Sequence, residues 1–223
     1  MNAIVLLSGG LDSATCLLIA REEGFDVFAL SFDYGQRHRI ELDRARELSH
    51  RYGAREHRVL RLDLPARGSS ALTDPGTDVP QDSLGAKHIP ITYVPARNTL
   101  FLSHALAWAE VVGADDIFIG ANALDYSGYP DCRREFLDAF EAMANLGTKA
   151  GVEGRRFCIR APLVSMTKAE IIARAAQLGL DFGLTTSCYD PAEMGRPCGH
   201  CDSCLLRSKG FREAGVPDPL VTK

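Results

Sequence analysis

No apolar run in the 223-residue sequence approaches the roughly 18 to 20 residues that a bilayer-spanning helix needs, so no membrane partner is expected. Positive charge is not in excess either. Lys and Arg number 25 against 29 Asp and Glu, for a net charge of −4, which argues against a surface built to coat nucleic acid. A basic region is missing ahead of the first apolar stretch, Met1-Asn2-Ala3-Ile4-Val5, and that stretch reads as a buried strand rather than a signal peptide. Without an export signal, seven cysteines do not suggest a disulfide framework. A cytoplasmic enzyme is the expectation. Internal repeats are lacking, as is any linker long enough to separate two independent domains. With 46% hydrophobic and 24% charged residues, the composition is that of an ordinary folded domain.

What is present is an alternation of strands and helices. Ala3 to Leu7 predicts a buried strand, and a helix follows from Asp12 to Glu23 with Gly24 as its stop. Asp26 to Phe32 and Arg58 to Leu62 read as strands around a helix over His38 to Tyr52, whose Ile40, Ala45, Leu48 and Tyr52 recur at helical spacing. Leu64 to Pro90 is irregular, a length of loop that often serves as a lid or mobile segment. Thr99 to Val112 predicts an apolar helix, either core or a homodimer interface. Asp116 to Ala121 predicts a strand and Asp131 to Asn145 a helix. Thr167-Lys168-Ala169-Glu170 carries the capping-box pattern. The order implies an α/β fold with an open parallel sheet flanked by helices. The expected organisation is an α/β core over residues 1–185 and a cysteine-rich segment over 186–223 packed on the same domain.

Two clusters carry chemistry. Ser8-Gly9-Gly10-Leu11-Asp12-Ser13 lies between the first strand and the first helix. There glycines allow close backbone approach, and free N–H groups with the Ser8 and Ser13 hydroxyls can surround an anion. The turn is neither a Walker A loop nor a G-x-G-x-x-G dinucleotide turn. Cys188, Cys198, Cys201 and Cys204 form a C-x9-C-x2-C-x2-C pattern. Four thiolates suit a closed, structural Zn²⁺ site. The ferredoxin run is the competing spacing, but it places its fourth cysteine downstream, before a proline. His200 is a bystander in this reading, and Cys16, Cys132 and Cys158 are expected to be packed thiols.

The glycine turn resembles the SGGxDS motif of the pyrophosphatase-loop (PP-loop) ATP enzymes, which split ATP into AMP and pyrophosphate. That resemblance implies an adenine nucleotide alpha hydrolase-like, Rossmann-like core, with ATP held by Leu7, Ser8, Gly9, Gly10, Leu11, Asp12, Ser13, Ala14, Thr15 and Cys16. Further motifs are similar to those of the 7-cyano-7-deazaguanine synthase family. They are Val94-Pro95-Ala96-Arg97-Asn98, Gly120-Ala121-Asn122-Ala123 with Asp125 to Arg133, Thr186-Ser187-Cys188-Tyr189, and Pro197 to Cys204. The resemblance implies conversion of 7-carboxy-7-deazaguanine, ammonia and two ATP into a nitrile through an adenylated acid and an adenylated amide. No room exists for a glutaminase domain, so free ammonia is the expected nitrogen donor.

Candidate roles follow from charge. Arg97 and Lys168 are expected to offset the negative charge of departing pyrophosphate. Asp12 either holds Mg²⁺ with ATP or caps its helix. Asp125 and Asp131 are candidate readers of a guanine-like N–H edge, with Asp131 alternatively a helix cap, and Tyr126 or Tyr129 is a candidate stacking partner. A tRNA thiolation enzyme of the same superfamily is the rival enzyme reading, and would need a catalytic cysteine pair and a basic surface. A zinc-ribbon binding module is the non-enzymatic rival.

Overall fold

The computed structural model describes residues 1–64, 69–83, 88–122, 129–192 and 195–221. Five strands, β1 (Asn2–Leu6), β2 (Asp26–Asp33), β3 (Glu56–Arg61), β4 (Asp116–Phe118) and β5 (Cys158–Arg160), pair in parallel in the order β3-β2-β1-β4-β5. The helices are α1 (Leu11–Glu22), α2 (Ile40–Arg51), α3 (Arg97–Val112), α4 (Arg134–Gly147), α5 (Lys149–Val152), α6 (Lys168–Gln177) and α7 (Asp202–Ala214). No helix among the described residues is long and apolar enough to cross a membrane.

Strand β1 shows how the sequence makes a two-sided sheet. Side chains alternate across a strand, so Ile4 and Leu6 join one core while Ala3, Val5 and Leu7 join the other. The first core is closed by α3 and α4 through residues such as Leu102, Trp108, Leu137 and Phe140. The second is closed by α1, α2 and α6 through Leu17, Leu48, Ile171 and Ile172. Each large side chain so buried contributes about 1.5–3 kcal/mol. The chain thus winds both ways from β1. In such sheets ligands bind outside the carboxyl ends of the strands where the winding reverses, here between β1 and β4.

The expected elements differ from the observed ones in informative places. Helix α1 is buried from Leu11 to Ala20 except at Asp12, rather than along one face, because α6 packs over its outer side. The helix expected from Asp131 begins at Arg134, after a 3₁₀ turn over Pro130–Cys132. Strand β5 and helix α7 carry no periodic signal of their own. The first has three residues, and the second starts among the cysteines.

Helix α7 ties the C-terminal segment into the main body. Gly210 lies against Lys168 and Ile172 of α6, where an added Cβ would stand 2.5 Å from the Lys168 Cγ. Phe211 meets Phe182 edge-on at 4.9 Å. Arg207 is 4% exposed, and its guanidinium donates to both Asp218 oxygens at 2.7 and 2.9 Å, to Thr185 Oγ1 and to the Phe182 carbonyl. Part of the long loop is anchored as well. Arg37 donates to the Thr77 and Pro75 carbonyls, and Gln81 forms an antiparallel bridge with Cys201. Residues 69–83 therefore pack over the cysteine cluster.

Removing one partner of a buried ion pair strands the other charge. Asp218→Ala is expected to lower stability by about 3–5 kcal/mol, measured as a shift in the urea unfolding midpoint at unchanged slope.

Candidate active site

The glycine turn is the first wall of the site. Gly9 has φ of +89°, and a Cβ there would fall 2.2 Å from the Glu41 carbonyl oxygen of α2, so only glycine fits. Ser8 and Ser13 close the turn on itself. The Ser8 N–H donates to Ser13 Oγ at 3.1 Å, the two hydroxyls lie 3.0 Å apart, and the Gly10 N–H donates to Ser8 Oγ at 3.2 Å. Leu7, Ser8, Gly10, Leu11, Asp12 and Ser13 line a cavity of about 240 Å³ at the carboxyl edge of the sheet. Gly9, Ala14, Thr15 and Cys16 stand behind that lining. Burial, and then the Asp12 carboxylate, push the Cys16 thiol far up, so it stays protonated.

Two cations reach the cavity from helix starts. Lys168 opens α6 beneath the Thr167–Glu170 capping box, and its ammonium donates to both Asp12 oxygens at 2.8 Å. Asp12 is therefore an ion-pair partner; α1 begins with Gly10 at its cap and no side-chain bond there. Arg97 opens α3 directly after Ala96, a non-glycine residue at φ 54°. That conformation costs about 1–2 kcal/mol and is braced by the Ala96 N–H donating to Tyr93 Oη at 3.1 Å. The Arg97 guanidinium donates to Tyr34 Oη at 3.2 Å. Desolvation opposes its charge, but Tyr34, Tyr129 and Asp131 around it outweigh that and push its pKa up.

Asp131 holds the start of α3. Its Oδ2 accepts the Asn98 backbone N–H at 3.0 Å, while Asn98 Nδ2 donates to the Asp131 carbonyl at 3.1 Å. Asp131 thus serves a helix 33 residues away and not α4, whose cap is Arg133. It does not line the cavity, whereas Tyr129 does, with Tyr129 Oη 2.7 Å from Thr92 Oγ1. Asp125 and Tyr126 lie outside the described residues. Burial and Asp131 push the neighbouring Cys132 thiol up to about 11, so neither Cys16 nor Cys132 offers the thiolate that a thiolation mechanism needs.

Sequence reasoning missed several lining residues. Tyr34, His38 and Glu41 follow β2, and Arg207 comes from α7. The run Tyr34-Gly35-Gln36-Arg37-His38 lies just past the carboxyl end of a central strand, which is the signal that could have found it. Gln36 donates to Glu41 Oε1 at 3.0 Å and to the Phe32 carbonyl at 2.9 Å. His38 Nε2 lies 3.1 Å from Glu41 Oε2, and His38 Nδ1 is buried without a hydrogen-bond partner among the described residues. Such an orphaned polar atom costs about 1–3 kcal/mol.

The four cysteines adjoin the same cavity. Sγ atoms of Cys188, Cys198, Cys201 and Cys204 all lie within 4.8 Å of one another. The Cys198 N–H donates to Cys188 Sγ at 3.2 Å and the Cys201 N–H to Cys198 Sγ at 3.4 Å. Hydrogen bonds from the Cys188 and Cys204 thiols pull Cys201 well below the ordinary thiol range. Converging soft donors with amide support suit a metal ion. Cys188 itself lines the cavity, and the Thr186 N–H donates to the Gly9 carbonyl at 3.0 Å. The cysteine segment and the glycine turn are therefore joined by a backbone hydrogen bond.

Two relatives named 7-cyano-7-deazaguanine synthase are 64% and 62% identical, from Geotalea daltonii and Nitrosococcus oceani. Each alignment covers 98% of this chain, with 95% and 96% of the respective relative. Among solved structures, NMN synthetase from Francisella tularensis superposes with a TM-score of 0.52 at 17% identity, over 97% of this chain and 78% of that one, a likeness of fold. The family described as "Queuosine biosynthesis protein QueC" matches residues 2–215, and this chain belongs to it.

Proposed function

We propose that this chain converts 7-carboxy-7-deazaguanine and ammonia to 7-cyano-7-deazaguanine at the expense of two ATP. One observation carries the proposal: a chain 64% identical to a 7-cyano-7-deazaguanine synthase over nearly its whole length gathers its glycine turn, Arg97 and Lys168 around one cavity. A carboxylate is a poor electrophile. Transfer of AMP makes it a mixed anhydride, and ammonia displaces AMP to give the amide. A second adenylation on the amide oxygen lets AMP depart again and leaves the nitrile.

In this scheme the turn from Leu7 to Ser13 holds the phosphates that leave as pyrophosphate, and Ala14, Thr15 and Cys16 support it from behind. Lys168 and Arg97 offset the charge that builds on the leaving group. Asp12 positions Lys168. Its remaining oxygen lone pairs also fit a hydrated Mg²⁺, which with ATP would supply further neutralisation. Asp125 remains the proposed reader of the deazaguanine, and Tyr126 or Tyr129 its proposed stacking partner. Asp131 acts through Asn98 to position Arg97. The four cysteines hold one structural Zn²⁺, since four sulfurs leave no coordination position for substrate.

Three measurements test these roles. Purified protein with Mg-ATP, ammonium and 7-carboxy-7-deazaguanine is expected to yield nitrile with two AMP per product. AMP and pyrophosphate without nitrile would move the chain to another adenylating activity, and no ATP turnover would refute the scheme. Lys168→Ala is expected to slow substrate-dependent ATP–pyrophosphate exchange by about 100- to 1,000-fold, with Asp12→Asn slowing it less. Metal analysis is expected to find one zinc per chain and no iron, and stripping the zinc is expected to lower the thermal midpoint and abolish turnover.

A further inference from the structure

We propose that the hydroxyls of Thr186, Ser187 and Ser203 form a second wall around the pyrophosphate part of ATP, set in position by the four-cysteine centre; the inference rests on the adenylating reading above. All three residues line the cavity. Thr186 and Ser203 are only 8% and 7% exposed, yet neither hydroxyl has a hydrogen-bond partner among the described residues. Both oxygens nevertheless keep accessible surface, since the described side-chain atoms that are sealed as well as unpartnered are His38 Nδ1 and Trp108 Nε1. With so little of either residue exposed, that surface is the part that meets the cavity. Ser187 Oγ accepts from Arg207 at 3.4 Å, which leaves its own O–H free to donate.

Three hydroxyls with hydrogens to give call for an acceptor. The described lining offers two carboxylates, but Asp12 accepts from Lys168 at both oxygens and Glu41 is engaged by Gln36 and His38. The acceptor therefore comes from the ligand, and the place of the wall selects which part of it. The Thr186 N–H donates to the Gly9 carbonyl at 3.0 Å, and a Cβ on Gly10 would stand 3.4 Å from the Thr186 carbonyl oxygen. The wall thus touches the glycine turn that holds the departing phosphates in the proposed scheme. Helix α7, which carries Ser203 in its first turn, also packs Gly210 against the Lys168 side chain. Neutral hydroxyls add hydrogen bonds to phosphate oxygens, while Lys168 and Arg97 supply the charge.

The cysteines explain how two distant segments present one wall. Ser187 immediately precedes Cys188, and Ser203 immediately precedes Cys204. The four Sγ atoms lie within 4.8 Å of one another, and consecutive Cα atoms are about 3.8 Å apart. A metal held by those sulfurs fixes the spacing of the two serines one residue away from its ligands. Arg207 braces the other side, donating to Thr185 Oγ1 at 2.8 Å as well as to Ser187. Cys188 and Cys204 are in this way positioning residues, and the centre shapes the phosphate site without touching the substrate.

The test is calorimetric binding of magnesium pyrophosphate, and separately of 7-carboxy-7-deazaguanine, to the full-length zinc-loaded protein and its variants, each checked for zinc content and thermal midpoint. Ser203→Ala and Thr186→Val are each expected to weaken pyrophosphate binding by about 10-fold, with Thr186→Ser retaining most of it. Binding of 7-carboxy-7-deazaguanine is expected to stay unchanged in all three. In ATP–pyrophosphate exchange the loss is expected in the KM for pyrophosphate more than in the rate at saturation. Zinc-depleted protein, measured below its thermal midpoint, is expected to bind pyrophosphate more weakly as well. Unchanged pyrophosphate affinity in Ser203→Ala and Thr186→Val, or a loss of 7-carboxy-7-deazaguanine affinity in its place, would overturn the wall. Undiminished affinity after zinc removal would overturn its dependence on the centre. An unaltered protein that neither binds pyrophosphate nor exchanges it with ATP would instead overturn adenylation itself, and the wall with it.

Discussion

At Gly9 three backbone segments pass too closely for any side chain. The turn after β1 touches the Glu41 carbonyl of α2, and its own carbonyl accepts the Thr186 N–H from the segment that leads to Cys188. The positive φ at that residue is a conformation that glycine adopts without steric cost. Because the contacts are backbone to backbone, the glycine turn, the start of α2 and the cysteine segment share one frame. The cavity they surround inherits its shape from that frame.

The same economy explains why motifs far apart in the chain face one another. Asn98 and Asp131 exchange two hydrogen bonds, so the segment carrying Arg97 is placed by a turn 33 residues later. Gly120, at the exit of β4, lies where a Cβ would come within 3.0 Å of the Asp12–Ser13 backbone. Arg207, bonded to Asp218, Thr185, Ser187 and the Phe182 carbonyl, ties α7 to the residues on either side of Thr186. A buried ion pair gains little over apolar packing, but it fixes geometry because either charge alone would be stranded.

Charge around the cavity is laid out with its counterparts already in place. Lys168 rests on Asp12 and Arg97 on Tyr34. In the proposed scheme such preorganised cations need no rearrangement as negative charge develops on the leaving group. The left-handed Ala96 and the orphaned His38 nitrogen run against stability at the same edge. Strain and unpaired polar atoms gather where a protein binds its ligands, since the ligand completes what the fold leaves open.

By itself the sequence determined the parallel α/β class, because continuous apolar runs ending at glycines and helices capped by Thr167–Glu170 are local signals. It also marked the glycine turn and the four clustered cysteines, whose spacing is short enough for the chain to bring them together unaided. How α7 locks onto α6 through Gly210 carried no such local signal. Only the tertiary structure decided that Asp131 serves α3, that Lys168 pairs with Asp12 and that His38, Glu41 and Arg207 line the cavity. Those contacts join residues from 33 to 156 positions apart or lie in segments without periodicity. Local propensity carries no information about them. They follow from the winding of the sheet, which brings the loops of separate strands to one edge.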